Sequence, residues 1–278
     1  MNRSLQDRQK PFRLTIAKRL VLVSLAEYFC LRTNDLVGLR HRTHTESYRR
    51  TMRRSLSLLL KEGLVYRLPY LDLEKERGGL TYVYGLSDKG VKHARESGYV
   101  TPSTKTFDEH SQRTLDHELE VSFFHVALKY FCEVNGLSLH WQQRDLKRTV
   151  NPDALFAITD PGKPEDANTF WYFLEIERAK FGNYRDGEPQ ILRKLKSYYD
   201  YYNTEVCERE WGCFRQFRVV IVQHTEAKRD FLLRKATEAH RHRMFWLTTE
   251  PLYRQDIGAD IFKTPRDFLE GALYSFRS

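Results

Sequence analysis

Two short segments carry side chains that could do chemistry together. Asn151-Pro152-Asp153-Ala154-Leu155-Phe156 opens one β-like run on an acid, and Phe173-Leu174-Glu175-Ile176-Glu177 closes the next on two. Residues i and i+2 of a strand share a face, so Glu175 and Glu177 project together. If the runs pair as a hairpin across the turn from Asp160 to Asn168, Asp153 comes close to Glu175. Carboxylates so clustered repel one another unless a cation lies between them, and hard oxygen donors select Mg2+ or Mn2+. Such an ion can activate water and neutralise the charge that grows on an attacked phosphate. Leu174 and Ile176, alternating with the acids, fit equally well a strand whose carboxylates are merely solvated or salt-bridged.

Other residue types offer the same chemistry. The Lys194-Leu195-Lys196-Ser197-Tyr198 segment leads into Tyr198, Tyr199, Tyr201 and Tyr202, so a tyrosine nucleophile is conceivable there. Ile191, Leu195, Tyr198 or Tyr199, and Tyr202 form a core stripe, which leaves Tyr201 as the exposed candidate for a nucleophile or substrate contact. His117 is a candidate contact to DNA or metal, with a satisfied structural histidine as the alternative. The histidines lack a clustered spacing, and His240 and His242, interleaved with Arg241 and Arg243, suit phosphate better than metal. No Gly-rich phosphate loop and no Ser/His/Asp signature is present.

The elements that must position these residues follow from periodicity. A helix is predicted over Leu14 to Phe29, with Ile16, Leu20, Leu22, Val23 and Tyr28 facing a core. A short helix over Thr33 to Leu39 is capped by Thr33 or Asn34. Thr43-His44-Thr45-Glu46 has capping-box spacing and opens a helix to Lys61, with Tyr48, Met52, Leu56, Leu59 and Leu60 on one stripe. Gly63 stops it. Strands Leu64 to Leu68 and Leu80 to Leu86 flank a turn at Gly78-Gly79, and Ser87 caps a last short helix that ends at Gly98. Thr101 to Thr106 reads as a linker. Beyond it a helix over Arg113 to Val134 is followed by strands at Ser138–Gln142, Asp153–Thr159 and Thr169–Glu177. A helix at Pro189–Asn203, a strand at Phe217–Gln223, a helix at Glu226–His240 and a strand at Met244–Thr248 complete one mixed sheet flanked by helices.

Charge divides the chain in the same place. Residues 1–98 hold 20 Lys and Arg against 10 Asp and Glu, and residues 99–278 hold 26 against 27. The whole surplus of the +9 chain therefore lies in the first third, the footprint of phosphate binding. No run of apolar residues reaches membrane-spanning length, and the polar N-terminus lacks a signal-like apolar core, so a cytoplasmic protein is expected. Cys30, Cys132, Cys207 and Cys213 lack C-x-x-C spacing and read as reduced thiols.

Three helices plus a two-stranded ribbon, with arginines concentrated on the third helix, resemble the winged helix-turn-helix. That resemblance implies DNA contacts at Arg49, Arg50, Arg53 and Arg54, and wing contacts at Arg67, Lys75 and Arg77. The proline–aspartate and the acid-x-acid segment resemble the PD-(D/E)xK nuclease superfamily. Carried over, Asp153 and Glu175 are metal ligands beside the Ile176 carbonyl, and Glu120 or Glu118 is the acid of the first helix. Glu177 stands where a lysine is usual, which places Lys180 or Lys194 as its spatial substitute. With His117-Glu118-Leu119 and the Lys194–Tyr198 helix, the chain over residues 12–250 resembles the replication-relaxation family, which includes the mobilisation protein C-type relaxases of plasmids.

The expected fold class is thus α+β in two domains. A winged helix spans 12–100, a linker 101–110 and a restriction-endonuclease-like mixed α/β domain 111–278. The resemblance implies nicking of double-stranded DNA at a plasmid transfer origin with Mg2+ or Mn2+, alongside an accessory mobilisation or coupling protein. Two other readings remain open: a non-catalytic plasmid replication or transcription regulator with a degenerate nuclease fold, and a restriction or transposition endonuclease that cuts both strands.

Overall fold

The computed structural model describes residues 13–39, 46–72, 79–99, 112–143, 148–177, 184–185, 188–212, 214, 216–239 and 242–277. The chain divides into two compact units, Met1–Glu118 and Leu119–Ser278.

The first unit runs α1 (Ile16–Glu27), β1 (Leu31–Arg32), α2 (Thr33–Gly38), α3 (Glu46–Lys61), β2 (Val65–Asp72), β3 (Gly79–Leu86) and α4 (Asp88–Glu96). The three strands form an antiparallel sheet ordered β1-β3-β2. Helix α1 turns Val21, Leu22, Leu25 and Ala26 inward. Ile16, expected in that stripe, is 78% exposed, because it begins the helix one turn before the buried face. Met52, Leu56 and Leu59 anchor α3, whereas Tyr48, also expected inside, is 41% exposed. The cap of α2 is not the side chain of Thr33 or Asn34. Asp35 reaches back to accept the Arg32 backbone N–H at 2.9 Å and takes the Arg32 guanidinium as well. Thr43 to Thr45 lie outside the described residues, and Glu46 instead approaches Arg53 at 3.5 Å and Arg49 at 3.9 Å. Ser87 caps α4 by accepting the Gly90 N–H at 3.0 Å. Gly90 is obligatory there, since a Cβ would lie 1.9 Å from the Leu64 carbonyl oxygen.

Helix α5 (Gln112–Val134) begins in the first unit and continues into the second. There follow β4 (Ser138–Gln142), β5 (Ala154–Thr159), β6 (Thr169–Glu177), β7 (Tyr184–Arg185), β8 (Glu188–Pro189), α6 (Gln190–Tyr202), α7 (Val206–Trp211), β9 (Arg218–Gln223), α8 (Glu226–Ala239), β10 (Phe245–Thr249) and α9 (Glu250–Asp256). The five-stranded sheet is ordered β10-β9-β6-β5-β4. Its β4, β5 and β6 are antiparallel neighbours, and β6, β9 and β10 are parallel.

Apolar residues cover both faces of this sheet, as parallel strands require. On one face Leu174, Ile176, Val220 and Trp246 pack with Val121, Phe124 and Leu128 of α5. On the other, Leu155, Phe173, Ile221 and Leu247 pack with Leu195 and Tyr198 of α6 and with Leu232 and Leu233 of α8. Strand alternation therefore turns Glu175 and Glu177, in phase with Phe173, toward α6 and away from α5. Cys30, Cys132 and Cys207 are buried and form no disulfide.

Candidate active site

The register of β5 on β6 decides the geometry. Ala154 pairs with Leu174 in an antiparallel ladder, so Asp153, one residue earlier, stands opposite Glu175. Asp153 extends the ladder with both backbone and side chain. Its N–H donates to the Leu174 carbonyl at 2.9 Å, and its Oδ2 accepts the Ile176 N–H at 2.7 Å. The carboxylate is thereby fixed at the strand end, beside the backbone position that the sequence singled out.

Glu175 is buried, and both of its oxygens are engaged from one helix. Lys194 Nζ donates to Oε2 and Tyr198 Oη donates to Oε1 at 2.7 Å. Lys194 and Tyr198 are four residues apart on α6 and therefore lie one above the other on the same face. Burial, and then the Asp153 charge, push the Glu175 carboxyl up to about 7 against the pull of Lys194 and Tyr198. For Lys194, burial opposes the charge, but Glu175 and Asp153 outweigh it and hold the ammonium above its ordinary range. Burial, reinforced by Glu175, raises the Tyr198 hydroxyl well above its usual range, so that proton stays on oxygen. The result is a carboxylate pair with a charged lysine at the end of a strand. Of the two lysines expected to substitute spatially at residue 177, Lys194 is at the pair and Lys180 lies outside the described residues. Glu177 is half-buried on the same face and adds its charge at Lys194.

Three expectations need correction. Glu120 does not join the pair: α5 packs on the opposite face of the sheet, where Tyr253 Oη donates to Glu120 Oε1 and Arg254 donates to its Oε2 at 2.6 Å. No group of three His, Cys, Asp or Glu side chains suited to a metal occurs among the described residues, so the expected convergence of Asp153, Glu175 and Glu177 is not found. Tyr201 is not exposed. It is 2% accessible, its hydroxyl donates to Glu210 at 2.6 Å and accepts from Trp211 Nε1 at 3.0 Å, and burial raises its pKa. His117 is half-buried on α5, as is Glu118.

Two contributors escaped the sequence reading. Tyr198 read as core, which it is, but its hydroxyl also serves Glu175. Glu210 of α7 accepts from the Thr149 N–H at 3.2 Å and from its hydroxyl at 2.7 Å, tying down the approach to Asp153. Burial opposes the Glu210 charge, but the Tyr201 and Thr149 hydrogen bonds prevail and hold the carboxyl below its usual range. No residue spacing signals that link.

Two opposed carboxylates, one buried and one at a strand end, suit a hard divalent ion that takes its remaining ligands from water and substrate phosphate. They do not suit an all-protein cage such as zinc requires.

In the first unit Arg50, Arg53 and Arg54 are exposed on α3 and Arg49 is half-buried. On β2 the exposed Arg67 guanidinium lies 4.4 Å from the centre of the Tyr82 ring. Lys75 and Arg77 lie outside the described residues. No described helix is long and apolar enough to cross a membrane.

Fold and site together define a two-unit protein with a basic helical module and an α/β unit centred on a carboxylate pair and a lysine. The family model described as replication-relaxation matches residues 22–216, and the chain belongs to that family. Comparison with curated proteins gives no match. Among solved structures, the restriction endonuclease FokI bound to DNA aligns at 11% identity and TM-score 0.33, covering 94% of this chain and 45% of that one. FokI in a second structure aligns at 12% identity with the same TM-score and coverage. The chain spans under half the length of those nuclease chains.

Proposed function

We propose that the chain is a divalent-metal-dependent DNA endonuclease, a nicking relaxase that acts at a plasmid transfer origin during conjugative mobilisation. The observation that carries this reading is Asp153 standing opposite the buried Glu175, with Lys194 on the same carboxylate. In this reading the second unit is a PD-(D/E)xK-type domain whose lysine comes from α6, with Glu177 at the strand position that lysine usually fills.

Asp153 and Glu175 hold Mg2+ or Mn2+, which when bound supplies an activated water and a counter-charge for the attacked phosphate. Lys194, kept charged, steadies a phosphate oxygen, and Tyr198 orients Glu175. Glu210, through Thr149, holds the segment that presents Asp153. Water is the nucleophile, because the Tyr201 hydroxyl is buried and committed to Glu210. The first unit acts as a winged helix: α3 enters the major groove with Arg49, Arg50, Arg53 and Arg54. The ribbon meets the backbone with Arg67, joined by Lys75 and Arg77. His117 is a DNA contact. The protein works in the cytoplasm on double-stranded DNA, with an accessory mobilisation or coupling protein.

The test is nicking of supercoiled DNA that carries a transfer origin, with Mn2+. Asp153→Asn and Glu175→Gln are expected to lower open-circle formation by about 10³-fold while DNA binding persists. Full nicking by both variants would refute the assignment.

A second reading, a non-catalytic plasmid replication or transcription regulator, is favoured by one observation: Lys194 already neutralises Glu175. A regulator takes up no Mn2+ in an Asp153-dependent way, whether free or bound to DNA.

A further inference from the structure

We infer that Lys194 is a resident counter-ion of the Asp153–Glu175 pair and leaves it for DNA phosphate, so that divalent cation and DNA bind cooperatively. The inference rests on the nuclease reading and adds an order of events to it.

Both Glu175 oxygens are committed, one to the Lys194 ammonium and one to the Tyr198 hydroxyl. One Asp153 oxygen is committed to the Ile176 N–H. A dication therefore meets an ammonium already in place on the only buried carboxylate of the pair, and two cations on one carboxylate repel each other. The two partners differ in freedom to move. The Glu175 side chain is 3% exposed and built into a central strand, whereas the Lys194 side chain is 35% exposed at the end of a flexible stem. The lysine can withdraw toward solvent, and the carboxylate cannot.

A lysine ammonium that has left a carboxylate is a ready point charge for phosphate. DNA arriving at the strand ends offers that alternative partner. Moving Lys194 from Glu175 to phosphate turns the pair into an open acidic site. Because binding linkage is reciprocal, a cation that favours the open site must also tighten DNA binding.

The test is Mn2+ calorimetry on the full chain at pH 8, with and without a short duplex. The wild-type chain is expected to gain about 10-fold or more in Mn2+ affinity when DNA is present. Lys194→Met is expected to bind Mn2+ about 10-fold more tightly than wild type without DNA, and to gain less from DNA than wild type does. Lys194→Arg, which keeps the charge but grips the carboxylate with a planar fork, is expected to weaken Mn2+ uptake, and it keeps the test decisive if the methionine variant does not fold. Tyr198→Phe, which leaves the lysine in place, retains the coupling to DNA.

Unchanged or weaker Mn2+ affinity in folded Lys194→Met would overturn this inference alone, provided that Asp153→Asn still abolishes uptake. No Mn2+ uptake by wild type and Lys194→Met alike, with or without DNA, would overturn the nuclease reading and this inference with it.

Discussion

Glu120 and Glu175 are both buried glutamates of the second unit, each with a tyrosine hydroxyl on one oxygen and a side-chain cation on the other. They lie on opposite faces of the sheet. At Glu120 the cation is Arg254, which also donates to Glu250 at 2.8 Å and lies 4.7 Å from the centre of the Phe123 ring. Glu250 in turn meets His224 Nδ1 at 3.0 Å. At Glu175 the cation is a lysine with one carboxylate contact, and a second acid, Asp153, stands opposite. The difference separates structure from chemistry. An arginine held by two carboxylates and a ring is part of the frame, whereas a half-exposed lysine beside paired acids is an exchangeable ion.

The largest expected effect is on stability. Arg254→Met strands the Glu120 charge in the core and is expected to cost about 3–5 kcal/mol in urea unfolding. Lys194→Met is expected to cost clearly less, because Glu175 takes up a proton readily near neutral pH and Lys194 is only partly buried. Equal losses would erase the distinction between the two sites.

Next in size is a pH dependence. The folded Glu175 carboxyl is raised from its ordinary 4.5 to about 7, so between those values the folded chain holds a proton that the unfolded chain releases. Its contribution to stability is complete below about pH 4.5 and is lost as pH rises to about 7, by up to roughly 3 kcal/mol. Unfolding free energies measured from pH 4.5 to 8 should fall through this window in wild type and not in Glu175→Gln. Parallel curves would place the titrating group elsewhere.

Tyr198→Phe and Tyr253→Phe remove matching hydroxyls, at about 1–2 kcal/mol each. Only Tyr198→Phe should also move the pH midpoint of stability upward, since that hydroxyl favours the charged Glu175. The smallest effect concerns the approach to Asp153. Thr149→Val is expected to lower nicking about 10-fold through lost positioning, with stability within about 1 kcal/mol of wild type. A loss of folding instead would make the Glu210 link structural only.

Much of this arrangement was legible in the sequence. The bounds of β4 and β6 follow from their apolar and aromatic runs, and period-2 alternation with a hairpin brings Asp153 to Glu175. What was not legible depended on long-range geometry. Periodicity cannot tell which face of a sheet a helix covers, so Glu120 was drawn to the wrong layer. The phase of α6 was misjudged by less than a turn: Tyr198 and Tyr201, three apart, both point inward, and Tyr199 and Tyr202 are only half-buried. Helix α7 is too short to show a stripe, and α9 begins directly at the end of β10, with a proline in its first turn as the one available signal. The sequence offers Lys180 and Lys194 as substitutes at position 177, and it is Lys194, 19 residues from Glu175, that reaches the carboxylate.

The most direct measurement is the anomalous signal of Mn2+ in crystals of the chain bound to duplex DNA. The account expects a peak within about 2.2 Å of carboxylate oxygens from both Asp153 and Glu175, with Lys194 turned to phosphate. A peak at Glu120 and Glu250 instead, or bound DNA with no Mn2+ at the pair, would contradict it.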